Sequence, residues 1–159
     1  MKQLPYAEGS WFAVPLKSGG YGAGVVARMA PGGRIILAYL FGPKREEVPT
    51  LAELAGLRPG AAIRRLRTGD LGLINRRWPI IGQLDNWERG DWPMPPFIRR
   101  AELLKRAWRA NYLDADPGKL EREESIPYTT QNLESDSLYG YGATEILLSK
   151  LLEEQVGAA

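Results

Sequence analysis

Four carboxylates, Asp70, Asp85, Glu88 and Asp91, fall within or beside a stretch that also holds Trp78, Trp87 and Trp92. Paired acids flanked by indoles are the equipment of many glycosidases, one acid donating a proton and the other serving as base or nucleophile. Such a pair must stand roughly 5–10 Å apart, and nothing in the spacing fixes any two of these at that separation. Asp70 follows Thr68-Gly69 and Asp91 precedes Trp92, settings in which an Asp commonly hydrogen-bonds its own turn. The chain has no histidine and no cysteine. That removes Ser-His-Asp and Cys-His catalysis, His- or thiolate-ligated metals and disulfides. Chemistry would have to rest on carboxylates, Lys, Tyr or a bound group. No catalytic residue, metal ligand or cofactor is assigned.

The same stretch, residues 68–98, carries three of the five tryptophans within fifteen positions, together with Pro79, Pro93, Pro95 and Pro96. Each indole brings roughly 150–250 Å² of mostly apolar surface. Proline forbids one long helix there. The expectation is an irregular, well-packed ledge on a sheet. Trp11 and Trp78 read as core indoles, whereas Trp87 and Trp92, set among Pro, Gly and charge, are expected to stay partly exposed. Trp, Tyr and Arg are the types that carry interface hot spots. Trp87, Arg89, Trp92, Arg99 and Arg100 are therefore the candidate partner-binding residues, with ordinary packing as the plain alternative for the tryptophans. Three arginine clusters (Arg64-Arg65-Arg67, Arg76-Arg77, Arg99-Arg100) could track phosphate on a small barrel. No nucleic-acid motif accompanies them.

The elements that must hold these side chains begin as β. SWFAVPL (10–16) mixes aromatic and β-branched residues and runs into KSGGYG, a turn signal. GYGAGVVARM (20–29) follows, then APGG (30–33), then RIILAYLFG (34–42), the strongest strand pattern. Strands joined by short Gly-rich turns make an antiparallel meander. Gly22 and Gly24 inside the second strand predict a bulge or tight coiling. As a phosphate loop, GYGAG lacks the helix opening and third glycine of a dinucleotide fingerprint. PTLAELAGLRPG (49–60) sets Glu53 three residues after Thr50, a capping-box register predicting a helix of one to two turns. AAIRRLRTGD (61–70) suits a strand with one wet face. DLGLINRRWPIIG (70–82) looks like a hairpin around Ile74–Arg77. PPFIRR (95–100) reads as a short edge strand, because its prolines cannot donate to a ladder.

From Ala101 the period lengthens. AELLKRAWRANYL (101–113) places Leu104, Ala107 or Trp108, and Tyr112 or Leu113 at three-to-four spacing, predicting an amphipathic helix. DADPGKLEREESIPYTTQNLESDS (114–137) is acidic and turn-rich, and is expected to be the most mobile segment. ATEILLSKLLEEQ (143–155) predicts a closing helix with Ile146, Leu147, Leu151 and Leu152 on one face, although Glu145–Leu148 is short enough to fit a strand.

Charge divides along the same line. Residues 1–113 carry eighteen Lys/Arg against nine Asp/Glu, residues 114–136 two against seven, and residues 137–159 one against three. The division implies either self-neutralisation or a basic patch awaiting an acidic partner, with solvated surface charge as the bland reading. No apolar run approaches the roughly 20 residues that cross a bilayer. The N-terminal stretch, with one early Lys, lacks the continuous apolar core of a signal peptide, and the absence of cysteine agrees with a cytoplasmic address. A length of 159 residues suits one domain, 1–159, with a β-rich body at 1–100 and a helical, acidic part at 101–159 packed on it.

Several pieces, in this order, resemble the Immunity protein 26 family of bacterial polymorphic-toxin systems. They are WFAVPLKSGGYGAGVV (11–26), ILAYLFGP (36–43), PTLAEL (49–54), GDLGLINRRWPIIGQL (69–84), W-x4-WPMPPFIRR (87–100) and GYGATEILLSKLL (140–152). The stretch 114–136 has no counterpart. The resemblance implies a mostly β fold and a gene beside that of a secreted or contact-delivered toxin. It also implies a cytoplasmic protein that binds that toxin and blocks it. It brings no active site to carry over.

The fold expected is α+β, mostly β: a strongly bent antiparallel sheet or small barrel with a short helix insert and C-terminal helices. The function expected is stoichiometric, non-catalytic neutralisation of a cognate toxin protein, without membrane or nucleic acid. A nucleic-acid or small-ligand module on a small β-barrel is the alternative, and a carboxylate hydrolase the third reading. Oligomeric state is left open.

Overall fold

RIILAYLFG is apolar at successive positions, and a strand of that kind has to be covered on both faces. The computed structural model, which describes residues 3–157, meets that demand with a sheet held between helices and a second sheet. The early lysine, Lys2, lies outside the described residues. The meander is as expected: β1 (Ser10–Pro15), β2 (Tyr21–Met29) and β3 (Ile35–Arg45) pair antiparallel in turn. Alternate side chains then sort into two cores. Phe12, Val14, Val26, Ile36, Ala38 and Leu40 face one way. Trp11, Val25, Leu37, Tyr39 and Phe41 face the other. The register of β2 on β3 slips between Tyr21 and Ala23, a bulge at Gly22. A Cβ on Gly22 would stand 2.6 Å from a Leu148 methyl, so the bare backbone lets the C-terminal helix approach.

After the meander come α1 (Leu51–Leu54), β4 (Arg64–Gly69), α2 (Leu71–Ile74) and β5 (Ile80–Gln83). The Thr50 side chain accepts from the Glu53 amide while the Glu53 carboxylate accepts from the Thr50 amide, the reciprocal cap read from the sequence. β4 pairs with β3, but β5 pairs with β1 at the opposite edge. The hairpin expected over 70–82 is thus replaced by a helical turn that leaves one edge and a strand that joins the other. Trp78 explains the path. Its ring stacks on Phe12 at 5.4 Å, beneath the sheet, and the chain must cross that face to place it.

The second sheet contains β6 (Phe97–Ala101), β7 (Arg106–Leu113), β8 (Asp116–Ile126) and β9 (Glu134–Ser135), in the order β8-β7-β6-β9. Two expectations fail here, and a third stretch is more regular than its turn-rich sequence suggests. PPFIRR is interior, since β6 pairs with β7 on one side and β9 on the other, and Pro95 and Pro96 precede the strand. Residues 101–113 form a turn and a strand. Their Ala, Glu, Leu, Lys and Arg are good helix formers, but intrinsic propensity yields to tertiary context, and pairing on both sides of β7 overrides it. The acidic segment contains a strand of eleven residues, β8, paired with β7 from Ala107–Ile126 to Leu113–Asp116. Its Glu123 and Glu124 carboxylates meet Arg99 and Arg109.

β10 (Leu138–Tyr139) adds to β4 in parallel, completing the six-stranded order β10-β4-β3-β2-β1-β5. The fold is mostly β, as expected, and it is built as two mixed sheets, neither of which closes into a barrel. Residues 134–139 therefore strap the sheets together, one short strand in each. Between them Asp136 accepts from Arg67 Nη2 at 3.0 Å and from the Tyr112 hydroxyl, while its amide donates to the Ile98 carbonyl at 2.8 Å. The Arg67 guanidinium lies 3.8 Å over the Tyr112 ring. One C-terminal helix, α3 (Tyr141–Gly157), closes the other face. It buries Thr144, Glu145, Leu148, Ser149 and Leu152, which turns Ile146 outward rather than inward as the sequence pattern suggested.

Candidate functional site

The ledge is where the sequence placed its strongest surface candidates, and it is built from the inside out. Trp92 is 4% exposed. Its ring meets Trp11 edge-on at 5.9 Å and Tyr39 at 5.2 Å, and stacks on Trp87 at 5.3 Å. Tyr39 donates its hydroxyl to the Pro93 carbonyl at 2.6 Å, which ties the ledge to β3. The expectation that Trp92 stays partly exposed is therefore corrected: it fills the core between ledge and sheet. Trp87 is half-buried, as expected. Its ring lies against Gly9, where a Cβ would stand 2.9 Å from Cγ.

The candidate arginines are held inside the molecule's own charge network. Arg89 donates to Glu8 at 2.8 Å and to both the carboxylate and carbonyl of Asp114. Arg28, buried, donates to the other Asp114 oxygen at 2.9 Å. Arg99 lies 4.2 Å over the Trp108 ring and donates to Glu123. Arg100 donates to the carbonyls of Tyr128 and Thr130. Arg64 pairs with Glu134 at 3.7 Å and Arg109 with Glu124 at 3.8 Å. The basic body thus meets the acidic segment at several places, through Asp114, Glu123, Glu124 and Glu134. Trp87, Arg89 and Trp92 come together on the ledge, while Arg99 and Arg100 belong to β6, and their side chains point to opposite faces.

The four acids beside the tryptophans hold separate posts. Asp70 is buried and accepts from the Tyr6 hydroxyl at 2.7 Å and the Arg34 amide at 2.8 Å; burial, then the Asp70 hydrogen bond, pushes the Tyr6 phenol far up. Asp91 pairs with Arg58 at 3.6 Å, and Asp85 and Glu88 are exposed. A shallow groove of about 260 Å³ does bring two other acids, Asp114 and Glu121, to Tyr112 and Arg122. There the Arg89 hydrogen bond, opposed by some burial and aided by Arg28, holds the Asp114 carboxyl below the usual range. A proton donor needs the opposite shift. Burial alone would raise Glu145, but Arg77 at 2.6 and 2.7 Å, the Trp78 indole N–H at 3.0 Å and Lys17 outweigh it and lower it. Tyr112 rises to about 12, through burial first and then its bond to Asp136. Among the described residues no group of His, Cys, Asp and Glu is placed to hold a metal, and no helix is long and apolar enough to cross a membrane.

Two surfaces were not anticipated. A groove of about 510 Å³ runs between β4, the strap and α3, with Arg64, Arg65, Asn132, Leu133 and Tyr139 among its walls. The turn joining β6 to β7 presents Leu103 at 99% and Leu104 at 69% exposure. Sequence reasoning missed the turn because it assigned 101–113 to a helix, where Leu104 belongs to an inward face. The available signal was the strand pattern of PPFIRR directly before it, which asks for a hairpin partner.

A model of the family described as Immunity protein 26 matches residues 7–109, from ahead of β1 into β7. No curated protein and no solved structure matches. The hairpin of β7 with β8, the strap and α3 lie largely or wholly beyond the matched span, as does the resembling piece 140–152.

Proposed function

Because the chain belongs to the Immunity protein 26 family, we propose that it binds a cognate bacterial toxin stoichiometrically and neutralises it without catalysis, in the cytoplasm of the producing or a neighbouring cell. The family match over residues 7–109 is the observation that carries this reading. The site chemistry supports it from the other side. Asp70 is committed to the Tyr6 hydroxyl and the Arg34 amide and Asp91 to Arg58, while Arg64, Arg67, Arg77 and Arg99 of the arginine clusters each meet a carboxylate. The nucleic-acid alternative finds less support, because the sheet is open and Arg67 and Arg77 are engaged internally.

Co-expression with the product of the neighbouring toxin gene tests the proposal. Rescue of growth and a co-purifying 1:1 or 2:2 complex are expected. A toxin that kills regardless, with no complex recovered, removes the reading. Oligonucleotide binding that falls steeply with salt would favour the alternative instead.

A further inference from the structure

We propose that the β6–β7 turn, Glu102–Lys105, is the anchor by which the protein enters its toxin, and that its occupant is an apolar cleft rimmed by carboxylates on that toxin. The inference rests on the toxin-binding reading above and names its contact surface. Single exposed apolar residues are ordinary. Two adjacent leucines at the tip of a hairpin are not, because such turns are the place of Gly, Asn and Asp. Here Leu103 and Leu104 occupy the turn at 99% and 69% exposure. A local choice that opposes local turn chemistry points to use elsewhere.

The tip is also held in place. Lys105 sits at φ +52°, and its amide donates to the Glu102 carbonyl at 3.3 Å. Tyr128, from the segment after β8, braces the turn by donating its hydroxyl to Glu102. Lys105 Nζ lies 5.1 Å over the Tyr128 ring and the Arg100 guanidinium 5.8 Å over it. Below the turn, five paired positions run from Phe97–Ala110 to Ala101–Arg106, with Phe97, Ile98, Ala107 and Ala110 buried. An apolar pair presented on a fixed frame loses little freedom on binding.

Charge selects the occupant. Arg99, Arg100, Lys105 and Arg106 surround the leucines, against the single carboxylate of Glu102 within that stretch. Arg99 is answered by Glu123, which leaves Arg100, Lys105 and Arg106 around the tip without an ion pair among the described residues. A cationic collar around an apolar tip complements an acidic rim around an apolar cleft, and the collar steers the encounter.

The test uses the full chain and an inactivated form of the toxin encoded beside it. L103S with L104S should weaken the complex by roughly 30-fold or more, the scale of a central hot spot, with an unchanged thermal midpoint. K105E with R106E should slow association and reverse its dependence on salt. L138S with I146S, on the flank of α3, should bind like the parent. A tip variant that binds as tightly as the parent overturns the inference and leaves the immunity reading standing. A parent that forms no complex removes both. A parent that self-associates through the tip, and whose L103S/L104S form is monomeric with full toxin affinity, assigns the leucines to a second copy and overturns the inference.

Discussion

The Trp87–Trp92 ledge and the Leu103–Leu104 tip flank the same strand, β6, and treat apolar surface in opposite ways. In the ledge, the bulkiest rings turn inward: Trp92 is packed by Trp11, Tyr39 and Phe41, with Trp87 laid over it. At the tip, aliphatic side chains of modest size turn outward on a frame of cations and one braced tyrosine. The residue types most often found at hot spots were spent on the interior, so type alone misplaces the contact. What separates the two regions is register. The ledge faces a sheet that is short of cover, and the turn faces nothing.

The comparison breaks first at the ledge. Trp92→Ala should destabilise the fold by about 3–5 kcal/mol, since an indole leaves a cavity between sheet and ledge. That is roughly 10 °C in a thermal melt for a chain of this size, and an unshifted melt would show that the ledge is no core. Asp136→Ala should cost about 3 kcal/mol in denaturant titration, because the Arg67 guanidinium, buried and already short of a partner at Nε, loses its counter-charge. Adding Arg67→Met should recover much of that loss, whereas additive losses would deny the coupling. Glu145→Leu should cost about 1–3 kcal/mol by orphaning the Trp78 indole N–H.

Acid offers a milder probe of the same network. Asp114 and Glu145 both titrate below the ordinary carboxylate range in the folded protein. Their contribution to stability is therefore complete above the unfolded value of about 4 and is lost as pH falls through the lower folded values. Denaturation midpoints measured downward from pH 6 should drop below pH 4, and Glu145→Gln should flatten that drop. The smallest effect belongs to the tip. L103S with L104S should leave stability within about 0.5 kcal/mol, and a larger loss would place the leucines in the fold after all.

Features written in neighbouring residues were legible. The meander of β1 to β3 follows from apolar runs cut by glycine turns, the Thr50–Glu53 cap from a three-residue spacing, and α3 from its apolar period. Features written across the chain were not. Arg28 finds Asp114 and Arg67 finds Asp136 at separations of 86 and 69 residues, and no spacing rule reports that. Those pairs flank the acidic strand, whose pairing with β7 denies 101–113 the helix that its residue types prefer. The error over Trp92 has the same origin. Its polar neighbours, Asp91 and Arg89, point to Arg58, Glu8 and Asp114, so the charge that suggested a wet setting is what shuts the ledge.

The strap at 134–139 has a bearing on how the chain is made. Translation delivers β3, β4, β6 and β7 well before the two short strands that border β4 and β6. Until those emerge, a nascent chain carries two naked sheet margins at once, each able to recruit a stray strand. Completion of both sheets is thereby deferred to one late event, and a ribosome that stalls before Glu134 would release a product prone to aggregate rather than a smaller working protein.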